Sequence, residues 1–121
     1  MMRLFAVALL GLSVLIVGGC VEPPATDPIQ RGRQVYREKN CASCHRIGSN
    51  GERTAPDLTH IGTIAETRLP GTGAEDYLIG SVRDPGAYIV PGYPDTMPRG
   101  QDRGMAQEDF DDLIQYLLTL R

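Results

Sequence analysis

The chain has 121 residues and carries 12 Lys and Arg against 15 Asp and Glu, for a formal charge of −3. That balance argues against nucleic acid, whose partners present a basic surface. Only 6% of residues are aromatic and none is Trp, so a single small domain would be marginal on its own apolar area.

Met1-Met2-Arg3 is a short positive start, and Leu4 to Val17 is apolar apart from Gly11 and Ser13. This run is too short for a permanent membrane span, which needs about 20 apolar residues, but it suits a signal-peptide core. It ends Val17-Gly18-Gly19-Cys20, small residues before a Cys. That pattern resembles the bacterial lipobox, so residues 1–19 read as a lipoprotein signal peptide and Cys20 as the lipidated first residue of the mature chain. Two or more acyl chains on Cys20 would hold the protein at a lipid membrane. Val21-Glu22-Pro23-Pro24-Ala25-Thr26 reads as a stiff extended spacer, so residues 20–27 form the lipidated Cys and linker. Residues 28–121 are then the one domain.

Asp27-Pro28 has the form of a helix start, with Asp as N-cap and Pro at the first helical position. The helix is expected to run to about Lys39, with Ile29, Gly32 and Tyr36 on one side.

Cys41-Ala42-Ser43-Cys44-His45 follows. Two thiols three positions apart with an imidazole on the next residue are the sequence of covalent haem attachment. Each thiol can form a thioether to one vinyl group of the same porphyrin, and His45 is placed to bond the iron. A thioredoxin-like pair needs a βαβ context that the flanking residues lack. A zinc site needs two more ligands, and the remaining Cys and His are Cys20 and His60 alone. Export fits haem attachment and accounts for all three cysteines, leaving none for a disulfide.

Residues 46–73 are rich in Gly, Pro, Thr and Asn and read mostly as loop. Thr72-Gly73-Ala74-Glu75 fits a capping box, so a short helix is expected over Ala74 to Val82. Asp84-Pro85-Gly86 ends it in a turn. Residues 87–104 read as extended, punctuated by Pro91, Pro94 and Pro98. Phe110, Leu113, Ile114, Leu117 and Leu118 follow helical spacing and mark the last helix. The cluster Glu108, Asp109, Asp111 and Asp112 reads as its solvated face, with acids favoured in a first turn. The expected fold class is all-α: three to five helices and long loops around one covalently bound haem, which completes the core.

With these residues in view, the chain resembles the class I, mitochondrial-type monohaem cytochromes c over roughly residues 28–120. The match comprises the first helix, CxxCH, Pro56-Asp57-Leu58, a middle helix, Met97-Pro98 and the last helix. Gly32 and Tyr36 match the family's Gly and aromatic on the first helix, and Leu113 and Tyr116 their counterparts on the last. The resemblance implies that these helices touch at Gly32. It also implies that the Pro56 carbonyl accepts a hydrogen bond from the ligand imidazole, fixing its orientation. Ala55 departs from the pattern, since the family more often has Gly there. Ala55 to Gly62 and Tyr88 to Tyr93 further resemble cytochrome c domains of respiratory oxidase complexes.

Three residues compete as second axial ligand. Met97 sits in a loop bounded by Pro94 and Pro98 and matches the family's Met-Pro. Met105 falls just before the last helix, where, with Ala106 as N-cap, an apolar residue packs on Phe110 as a staple. His60 follows Pro56 too closely to reach the far face easily. Met97 is the expected ligand, and Met/His ligation raises the potential relative to bis-His. Arg53, Tyr77 and Tyr93 are candidates for the haem propionates, and Leu58, Ile61, Leu78 and Ile89 for the pocket lining.

The expected function is one-electron transfer, not catalysis, by a lipid-anchored cytochrome on the periplasmic side of a bacterial envelope. Its expected partners are a terminal oxidase or quinol-oxidising complex of the respiratory membrane. The alternative is a gas sensor or peroxidase in which the second ligand is displaceable.

Overall fold

The computed structural model describes residues 26–121. The signal-peptide, lipidation and most of the linker readings, Cys20 among them, lie outside the described residues. Among the described residues there are four α-helices and no strand, in agreement with an all-α chain: α1 (Pro28–Glu38), α2 (Ile61–Arg68), α3 (Ala74–Arg83) and α4 (Gln107–Leu118). A single 3₁₀ turn, Cys41–Ser43, lies between α1 and α2.

Local chemistry sets the ends. Asp27 caps α1 by accepting the Gln30 N–H at 3.0 Å, with Pro28 at the first helical position. Side-chain caps of this kind are worth about 1 kcal/mol. Asn40, in the left-handed region at φ 56°, turns the chain out of α1 into the 3₁₀ turn. Asn is among the few side chains that tolerate this conformation. At α3 the N-cap is Gly73, not Thr72, and no side chain caps the helix, so the capping box expected at Thr72 does not form.

Residues 61–68 correct the expectation of a loop: they form α2. His60 is its N-cap position but makes no capping bond. Tertiary contacts hold α2 instead. The Gly62 N–H donates to the Leu120 carbonyl at 2.7 Å, and Ile61 and Ala65 are buried in the common core. A Cβ at Gly62 would stand 2.9 Å from the Leu118 carbonyl carbon, so this helix start fits against the chain end only as glycine.

The core is built on α1 against α4, with α3 and α2 packed around them. Phe110, Leu113, Ile114 and Leu117 are all at most 5% exposed, and each such burial contributes about 1.5–3 kcal/mol. The backbones of α1 and α4 touch at Gly32. A Cβ there would overlap the Asp112 carbonyl oxygen and lie 2.7 Å from Tyr116 Cβ. Beside this contact Tyr36 and Tyr116 meet edge to face, ring centres 6.1 Å apart.

Asp112 corrects a second expectation. It is not on a solvated acidic face but 6% exposed, and Arg31 Nε donates to its Oδ2 at 2.6 Å across the α1–α4 interface. Arg31 also reaches Glu108 at 3.0 Å. Asp112 is the buried member of this pair, and its removal deletes a charge-assisted hydrogen bond across the interface and leaves a gap between the helices, while Arg31, half-buried, keeps Glu108. Asp112→Ala should therefore lower the thermal midpoint clearly, while Asp111→Ala, at an exposed position one residue away, should barely change it. Calorimetry of the two variants checks this.

Candidate functional site

A cavity of about 340 Å³ opens between the 3₁₀ turn, α3, α4 and the segment 85–105. This volume is within the range of ligand clefts, roughly 300–1,000 Å³. Cys41, Cys44 and His45 line it, and so do Met97 and Met105. Neither cysteine is paired in a disulfide. Burial pushes the Cys41 thiol above its ordinary range, while Cys44 is exposed at the rim.

The His45 ring is held from behind. Its Nδ1 lies 2.7 Å from the Pro56 carbonyl oxygen. A carbonyl only accepts, so Nδ1 carries the proton and Nε2 keeps its lone pair for a metal. Backbone bonds bracket this contact: Ala55 N–H donates to the Cys44 carbonyl at 3.1 Å, and Leu58 N–H to the Arg46 carbonyl at 2.8 Å. The chain on either side of Pro56 is thereby tied to the chain on either side of His45. The Tyr36 hydroxyl adds a bond of 3.0 Å to the His45 carbonyl. Burial raises the Tyr36 pKa, so the hydroxyl remains a donor.

Asp57 completes the support. Its carboxylate accepts the Thr59 hydroxyl and, at 2.7 Å, the Thr59 N–H, and Thr59 Oγ1 accepts the Gly48 N–H at 2.8 Å. The side-chain bond from Thr59 and then the backbone bond hold the Asp57 pKa below its ordinary value. A depressed carboxyl stabilises the fold above its unfolded pKa, about 3.9, and this stabilisation is lost as pH falls through the folded value. The difference in melting midpoint between the parent and Asp57→Asn should therefore be full above about pH 5, decline through the unfolded pKa and vanish in stronger acid. Melting curves across that pH range read it directly.

Met97 and Met105 reach the cavity differently. From Pro91 to Arg99 every residue is exposed except Met97, which is half-buried on the cavity wall. Met105 is half-buried against the core cluster beside the start of α4, as a staple residue would be. His60 is exposed and does not line the cavity; it borders a separate shallow depression with Arg46 and Asp57. Leu58, Ile61, Leu78 and Ile89 all line the cavity, as do Tyr77 and Tyr93. Arg53 does not. The arginine on the wall is Arg68, half-buried at the end of α2 and without a side-chain partner among the described residues. Its place on the wall is not legible in the sequence, because the segment that delivers it reads there as loop.

These residues fit a covalent haem. Two cysteines outside any disulfide and a tautomer-fixed imidazole share one mostly apolar cleft, and Ile89 and Tyr93, 36% and 37% exposed, extend its wall to the surface. The alternatives for the cysteines find no support in the geometry. No strand flanks Cys41 among the described residues, and no three His, Cys, Asp or Glu side chains there group as a metal-ion site.

Comparison with known proteins agrees with this geometry. The sequence family described as cytochrome c matches residues 29–121. Cytochrome c oxidase subunit 2 of Alkalihalophilus pseudofirmus is 30% identical over 105 residues, covering 84% of this chain. The chain spans 28% of that relative's length.

Proposed function

The chain belongs to the cytochrome c family of electron-transfer proteins and binds covalent haem c, and from that premise we propose that it is a one-electron carrier of a bacterial respiratory chain, held at a membrane by lipid on Cys20. In this reading Cys41 and Cys44 form the thioethers, and His45 and Met97 are the axial ligands. The observation that carries the reading is the convergence of those four side chains on one cavity, with the His45 ring fixed by Pro56.

Bound haem supplies a reversible ferric–ferrous couple. The protein does the rest. Pro56 and Tyr36 keep His45 in one orientation, which limits the rearrangement that accompanies each electron. Leu78, Leu113 and Leu117, all buried, exclude water. Two protein ligands leave no coordination site for a substrate. His60, on which a peroxidase reading would rest, stands exposed outside the cavity. Cys44, Ile89 and Tyr93 form an exposed edge through which a partner reaches the cofactor.

The oxidase relative supports a terminal oxidase as acceptor, with a quinol-oxidising complex on the donor side. No described helix is long and apolar enough to cross a membrane. In this reading the lipid on Cys20 and the linker to Asp27 keep the domain on the periplasmic surface. Restricting a carrier to that surface raises its effective concentration near a membrane complex.

The test is a redox titration of the haem-loaded protein followed by reoxidation on oxidase-containing membranes. A reversible one-electron wave and rapid cyanide-sensitive reoxidation are expected. A carrier that the membranes leave reduced contradicts the oxidase assignment. Cys20→Ala should move the protein to the soluble fraction; retention on membranes contradicts the lipid anchor.

A further inference from the structure

Met97 lies inside a small clamp made of charged side chains. Asp95, two residues before it, and Arg99, two residues after it, form a forked pair: Nη1 to Oδ1 and Nη2 to Oδ2, each 2.8 Å. The same Arg99 Nη1 donates to the Met97 carbonyl at 3.2 Å. One guanidinium therefore ties together both ends and the middle of the Asp95–Arg99 segment.

The clamp is also seated on a second piece of chain. A Cβ built on Gly86 would lie 2.7 Å from Arg99 Cζ and 3.1 Å from Nε, so the guanidinium occupies the space where a side chain would be. Gly86 belongs to the turn in which the Ala87 N–H donates to the Asp84 carbonyl at 3.0 Å. The neighbouring Pro85 is buried and lines the haem cavity. Arg99 thus bridges the loop that carries Met97 to a turn rooted in the cavity wall.

We propose that Arg99, held by Asp95 and seated on Gly86, is a positioning residue that keeps the Met97 thioether on the iron. The inference rests on the reading of Met97 as axial ligand. A thioether is a neutral, weak ligand, so its retention is an intramolecular binding equilibrium set by the effective concentration of sulfur at the metal. A loop free to swing spends less time in the ligating arrangement. An exposed ion pair adds little to global stability. A two-bond fork, however, fixes orientation as well as distance. The clamp therefore acts on loop geometry and contributes little to the fold. The glycine at 86 has a specific purpose in this account: any side chain there displaces the guanidinium.

Imidazole binding to the ferric haem-loaded protein tests the proposal, because imidazole must displace Met97. Arg99→Gln, Asp95→Asn and Gly86→Ala should each tighten imidazole binding by about threefold or more. Each should also weaken the red thioether-to-iron absorption band, with the far-UV unfolding midpoint nearly unchanged. Gly86→Ala retains both charges, so its effect reads position and not electrostatics. Met97→Ala is run alongside. If it abolishes the band while the three clamp variants leave band and affinity as in the parent, the ligand reading stands and the clamp is overturned. A lowered unfolding midpoint with unaltered imidazole affinity overturns it too, since that is a structural role only. If Met97→Ala leaves the band in place, the ligand lies elsewhere and both readings fall.

Discussion

Gly32→Val is expected to destabilise the haem-loaded domain by about 3 kcal/mol or more, the upper end of overpacking costs. The first added carbon overlaps the Asp112 carbonyl oxygen and stands 2.6 Å from the carbonyl carbon and 2.7 Å from Tyr116 Cβ. Two of these three atoms are helix backbone, which cannot rotate aside. α1 and α4 must therefore separate, and the Arg31–Asp112 pair and the Tyr36–Tyr116 contact separate with them. Tyr36 in turn holds the His45 carbonyl, so the damage extends to the ligand side of the cavity. Gly80→Ala is the internal control. Gly80 lies within α3 with nothing within 4 Å of its absent Cβ. Alanine there should stabilise by roughly 0.5–1 kcal/mol through helix propensity and a less free unfolded chain. Denaturant unfolding measures both, and equal effects would contradict the packing account.

Met97→Ala is expected to lower the reduction potential by on the order of 100 mV, within the ~0.8 V that axial ligation commands. It should also let the ferrous protein take up carbon monoxide. Met105→Ala removes a half-buried side chain packed on the core cluster just before α4 and should cost about 1 kcal/mol of stability, less than a fully buried Met, with the potential nearly unchanged. The two methionines differ in what they touch. Met97 is the inward-turned residue of an otherwise exposed loop, whereas Met105 adjoins a helix start that already needs it. A redox titration of both variants separates them. A drop in potential on Met105→Ala alone would reverse the assignment.

The elements legible in the sequence are those with strong local chemistry. Asp27-Pro28 announces α1, and the apolar spacing from Phe110 to Leu118 announces α4. α2 was illegible because Ile61–Arg68 has almost no apolar asymmetry around a helix and no capping side chain. Its stability comes from Gly62 meeting the chain end, a contact between distant residues. Asp112 misled for a similar reason. Among four acids at 108–112 nothing local distinguishes the one that Arg31 meets across the interface. At the site, Cys41, Cys44 and His45 are legible from spacing alone, and Pro56 only through family resemblance. The structure then adds the His45–Pro56 bond and the backbone ties that enforce it. Arg68 is illegible because the helix that delivers it to the cavity wall has no sequence signature, and the Asp95–Arg99 fork because a charge pair within a loop has no sequence period.

The proposed electron transfer requires His45 and Met97 both to bind the metal within this cavity. The optical spectrum of the reduced haem-loaded protein, recorded before and after carbon monoxide is added, tests that most directly. A six-coordinate low-spin spectrum that carbon monoxide leaves unchanged is the predicted result. A high-spin spectrum that shifts as the gas binds would contradict it, and would place the protein among sensors or peroxidases instead of carriers.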